Sequence, residues 1–197
     1  MFKCAPCASK ALPAEYRAIS ELLFPPNGYP DDLGPSVEAA EAFSRILGIA
    51  DEYNRFFKLH KSGGGAGQAM DDFLNRFQNN LDLLIQKTWV EKADEERKEK
   101  LLDVVPPFIV LIQKGDYPEA LRNFGAILEE LAYLFFGVQS QADDFAEYTL
   151  RIDPQIGLFW WYGGQINNIG EAPWLLKADK NVLLAMLLLG ICYLTNF

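Results

Sequence analysis

Three kinds of side chain in this sequence carry chemistry: a few soft ligands, some carboxylate clusters and one run of aromatics. The soft ligands are Cys4, Cys7, Cys192 and His60. They are enough in number for a tetrahedral zinc site. Zinc modules, however, bring their ligands in closely spaced pairs, and here only Cys4-Ala-Pro-Cys7 is such a pair. A lone histidine in 197 residues excludes di-iron bundles, which need Glu-x-x-His twice, and three-histidine helical metal centres. No Gly-x-Ser-x-Gly elbow accompanies it. His60 stands beside Lys58 and Lys61 at a predicted helix end, where a cation complements the helix dipole. The expectation is no metal and no cofactor.

Among the carboxylates, Asp143, Asp144 and Glu147 have the spacing by which one helix face offers oxygens to magnesium. Glu129-Glu130 or the run from Glu95 to Glu99 would have to supply a facing cluster. Against this reading, acids near helix starts complement the dipole, and exposed helix faces are commonly acidic. The aromatic run is Leu158-Phe159-Trp160-Trp161-Tyr162-Gly163-Gly164. Four successive aromatics on one helix point in four directions, so some of them are expected to line a groove or an interface. Trp and Tyr dominate binding hot spots, and paired glycines let another backbone approach. Phe159, Trp160, Trp161, Tyr162, Gly163 and Gly164 are therefore the expected partner-binding surface; the alternative is a large plug in the core.

Composition narrows the partners. Half of the residues are hydrophobic and 13% are aromatic, enough for one sizeable core. The formal net charge is −9, with 27 acidic against 18 basic side chains. Such a field repels phosphate backbones and anionic lipids, so nucleic acid is not an expected partner. Three cysteines are too few for a disulfide scaffold, and no apolar segment follows Met1. The expected setting is cytoplasmic.

Several elements must position these groups. Residues 1–12 are read as a tail and 13–197 as a single all-α domain. Pro13 opens a helix that ends before Pro25-Pro26, and residues 25–35 form a rigid irregular loop. Ser36 is read as the N-cap of one long helix to about His60. A Gly-rich linker, residues 61–67, precedes an amphipathic helix from Gln68 to about Trp89. Pro106 is expected to end a charged helix, and a short apolar helix to follow Pro106-Pro107 as far as Gly115. Asp116 and Glu119 then suggest a capping-box variant for a helix carrying Leu121, Phe124, Leu128, Leu131, Ala132 and Phe135. So short a turn makes those last two helices antiparallel neighbours. Ser140 is read as the cap of a short helix to Arg151, and Asp153-Pro154 as the cap and first residue of the aromatic segment. Asp179 caps a final helix, Val182 to about Thr195, that is apolar all round. Its apolar core of thirteen residues (182–194) spans only about 20 Å, short of the roughly 30 Å of a bilayer core. A buried central helix, or one completed by a second subunit, is expected there, and membrane attachment is not.

Five stretches resemble parts of four known families. Lys114-Gly115-Asp116-Tyr117-Pro118-Glu119-Ala120-Leu121 resembles the inter-helix turn of tetratricopeptide repeats. Leu150-Arg151-Ile152-Asp153-Pro154 followed by Trp160 to Gly163 resembles their inter-repeat junction, although the 34-residue period of those repeats is not kept. The resemblance implies helical hairpins that bind protein segments. Asp143-Asp144-Phe145-Ala146-Glu147 is similar to the aspartate-rich motif of isoprenoid synthases, and Glu95 to Glu99 to the acidic helices of all-α nucleotide pyrophosphatases. Cys4-Ala-Pro-Cys7 resembles the site of thioredoxin-type oxidoreductases, but no parallel-sheet pattern surrounds it and it reads as part of the tail. The fold expected is therefore an all-α array of antiparallel hairpins around one core. The function expected is binding of a protein or peptide, or of a second copy of the chain. The alternative is a small magnesium-dependent enzyme acting on a phosphate or diphosphate through Asp143, Asp144 and Glu147.

Overall fold

The computed structural model describes residues 12–29, 34–61, 67–87, 95–136, 153–169 and 172–196. Among them are eight α-helices: α1 (Ala14–Leu23), α2 (Val37–Ile46), α3 (Ala50–Lys61), α4 (Gln68–Lys87), α5 (Glu95–Lys114), α6 (Tyr117–Phe136), α7 (Pro154–Asn168) and α8 (Lys180–Thr195). A 3-10 turn, Pro173–Leu176, joins the last two helices, and there is no strand among the described residues.

The apolar C-terminal helix sits at the centre. Asp179 accepts the amide of Asn181 at 2.7 Å and starts α8 two residues earlier than the apolar run alone suggests. From Leu183 to Leu194 every residue is buried, and α8 touches α2, α3, α4, α6 and α7. A helix without a polar face has nowhere else to go in water. Among the described residues no helix is long and apolar enough to cross a membrane.

Around it the chain runs back and forth. Arg97, near the start of α5, lies 3.8 Å from Glu130, near the end of α6, so these two helices are antiparallel. Their turn is the one expected: Gly115 adopts φ +76°, its amide bonds to Ile112 O, and the Asp116 amide bonds to Leu111 O. These two bonds define a Schellman cap, which favours glycine at its left-handed position. The expected capping box is not made: the Asp116 amide that Glu119 would accept is given to Leu111 O, and Glu119 pairs with Arg122 at 3.1 Å. Gln113 donates to Asp71 at 2.9 Å, which makes α4 and α5 antiparallel as well.

Two expected boundaries are corrected. The helix from Ser36 does not run through to His60. Ser36 caps α2 by accepting the Ala39 amide, but Gly48 at φ +72° turns the chain before α3 begins. The bend lets Phe43 on α2 and Tyr53 and Phe56 on α3 all reach the core. Pro106, in turn, does not end a helix: α5 passes through both prolines. Interior proline costs a helix about 3 kcal/mol. Burial of Leu101, Val105, Phe108, Ile109 and Ile112 along the inner face offsets that cost, an instance of packing overriding propensity.

Candidate functional site

The aromatic run lies inside the core rather than on a surface. Asp153 accepts the amides of Gln155 and Ile156, Pro154 takes the first helical position, and α7 forms despite its glycines. Phe159 is 0% exposed, Trp160 2%, Trp161 4% and Tyr162 0%; Gly163 and Gly164 are buried too. The four side chains do leave the helix in four directions, but protein meets each of them. Phe159 stacks on Tyr193 of α8 with ring centres 4.1 Å apart. Trp161 sets its edge against Phe24 at 5.5 Å and lies 6.3 Å from Phe43. Tyr162 lies 5.6 Å from Phe43, and its hydroxyl donates to the carbonyl of Met186. A Cβ on Gly163 would sit 3.5 Å from Leu128 of α6. The expectation of an open groove fails because α7 is enclosed by α1, α2, α6 and α8, which one helix seen in isolation cannot reveal.

The remaining sequence candidates divide in two. Asp143, Asp144, Glu147, Ser140, Cys4, Cys7 and the linker residues 62–66 lie outside the described residues, as does the side chain of His60. Cys192 is described, and it is buried. Burial pushes its thiol well above the ordinary range; Glu52 adds to the shift, while Arg76 opposes it. A thiol held protonated in the core is a poor nucleophile. Among the described residues no group of three histidine, cysteine, aspartate or glutamate side chains could hold a metal ion.

Polar groups do meet where α8 ends. Arg76 approaches Glu52 at 4.0 Å, Asn196 donates to Glu52, and Asn80 donates to the carbonyl of Leu194. These contacts tie the end of α8 to α3 and α4. Nearby Tyr53 is 1% exposed, and among the described residues its hydroxyl has no hydrogen-bond partner. Burial moves its pKa above the usual tyrosine range, with smaller contributions from Glu41, Cys192 and Glu38. A buried unpaired hydroxyl is a cost that phenylalanine lacks. Tyr53→Phe should therefore leave stability unchanged or raise it by up to about 1 kcal/mol in chemical denaturation. A clear loss would mean that the hydroxyl bonds in solution.

The surface feature the sequence reading missed is the outer face of α5. Asp103, Val104, Pro106, Pro107, Val110 and Lys114 are all exposed there. Val104 is 43% and Val110 41% exposed. Proline has no amide, so the Asp103 carbonyl finds no helical donor at either position 106 or position 107. The ridge thus offers rigid apolar rings beside a carbonyl that lacks its ordinary helical donors. Both prolines are exposed, so their own packing does not offset the cost they bring to the helix. The signal, Pro-Pro between apolar residues, is visible in the sequence, where local rules make it a helix boundary. Comparison with protein-family models, curated proteins and solved structures gives no match to this chain.

Proposed function

We propose that this chain is a helical protein-binding domain, and that its partner docks on the outer face of α5 rather than at Phe159 to Gly164. The observation that carries the reading is the exposed Pro107–Val110 pair, flanked by exposed Pro106 on one side and exposed Val104 on the other, on an otherwise charged and polar helix face. Proline and valine lose little side-chain entropy when covered, so such a ridge binds at low ordering cost. The tight antiparallel α5–α6 hairpin, joined through Gly115 and Asp116, supports the likeness to tetratricopeptide-type hairpins, which present helix faces to protein segments. A buried thiol at Cys192 fits a reducing setting, and we take the cytoplasm as that setting.

A photo-crosslinking amino acid at Val110 should give a discrete protein adduct in cells, while one at exposed Gln86 on α4 should not. Equal labelling from both positions, or none from either, would remove α5 as the docking face.

A further inference from the structure

We infer that the α5 face docks on a second copy of this chain, packed antiparallel about a two-fold axis. This rests on the docking role just proposed for α5. Asp103, Pro107, Val110 and Lys114 follow one another at intervals of four, three and four residues. At about 100° per residue, these positions form a single stripe along the helix. All four are exposed. The order of the stripe is acid, apolar, apolar, base, and its spacing reads the same from either end.

A stripe of that kind is complementary to its own reversed copy. With the two-fold axis beside residues 108 and 109, Pro107 of one copy meets Val110 of the other, and Asp103 meets Lys114. An isologous contact makes every such pair twice. Among the described residues neither Asp103 nor Lys114 forms an ion pair within its own chain. Lys114 brings three donors, and the Asp103 carboxylate accepts through two oxygens, so the pair can form with good geometry. Opposed helix dipoles also favour the antiparallel arrangement. A parallel pairing would set like charges together and fail. Lys100, on the same face, is already engaged with Glu96 of its own helix at 2.9 Å. A single helix face is a small interface, so the dimer formed is a transient one.

Sedimentation velocity on the full chain over rising concentration tests this, with circular dichroism to confirm that each variant folds. The wild type should show reversible monomer–dimer exchange. Lys114→Glu alone, or Asp103→Lys alone, should weaken association tenfold or more, because each replaces both ion pairs with repulsions. The double variant Asp103→Lys with Lys114→Glu should return to within about threefold of wild type, since the pairs are restored with reversed sign. A wild type that stays monomeric up to about 1 mM, or a dimer indifferent to these charges, overturns self-docking. A monomer that still crosslinks through Val110 to a different protein leaves the α5 docking face standing and removes only the second copy. A monomer with no adduct removes both.

Discussion

Replacing Trp161 with alanine should cost about 3–5 kcal/mol of folding stability. The ring is 4% exposed, edge-on to Phe24 and close to Phe43, so its removal opens a cavity where α1, α2 and α7 meet. A domain of this size has about 5–15 kcal/mol in total. The variant should therefore have a much lower denaturation midpoint, and the double replacement of Trp160 and Trp161 should not fold at physiological temperature. This matters for function. Loss of partner capture in such variants would reflect a lost fold and would say nothing about a binding surface. Val110→Ala offers the contrast, because its side chain is 41% exposed and the change should shift stability by no more than about 0.5 kcal/mol. If Trp161→Ala were equally mild, α7 would have to be accessible in solution, and the enclosed arrangement would be wrong.

The aromatic run also marks where sequence reasoning stopped. Helix existence was legible, because it rests on local rules: periodic apolar residues on α4 and α6, Ser36, Asp153 and Asp179 as caps, and Gly115 as the left-handed stop. The side chains of all three caps accept helix amides, and the Gly115 turn forms. Whether an aromatic is covered depends on how many neighbours surround its helix, and those neighbours come from distant parts of the chain. Phe24 and Phe43 precede Trp161 by more than a hundred residues. The same distinction explains the two boundary errors. Gly48 falls inside the long helix expected from Ser36 to about His60, where tertiary packing imposes a bend, and Pro106-Pro107 reads locally as a break although the inner face of α5 holds the helix together. For that reason the candidate site moved from the most aromatic stretch to an unremarked ridge. The strongest hydrophobic signal in a sequence belongs first to the core, and an exposed rule-breaker such as Pro-Pro is the better pointer to a surface role.

Gly190→Ala on α8 should destabilise the protein by about 3 kcal/mol, although glycine to alanine in a helix ordinarily gains up to about 1 kcal/mol. The reversal comes from Phe124 of α6. An added Cβ would lie 2.2 Å from its Cε1 and 2.4 Å from its Cζ. The ring has little room to retreat, being fully buried and stacked on Phe108 at 5.3 Å, with Phe108 in turn set edge-on against Phe77. The contact therefore has to be relieved by moving α6 away from α8, and α8 is the helix on which most of the others pack. A double-mutant cycle separates this cause from any other. Phe124→Leu removes the ring edge at its own cavity cost, and in that background Gly190→Ala should become at least 1 kcal/mol less damaging than in the wild type. Additive losses would mean that the ring already has space to move. Strong coupling would identify glycine at position 190 as what allows α6 and α8 to pack closely enough to enclose the α7 aromatics.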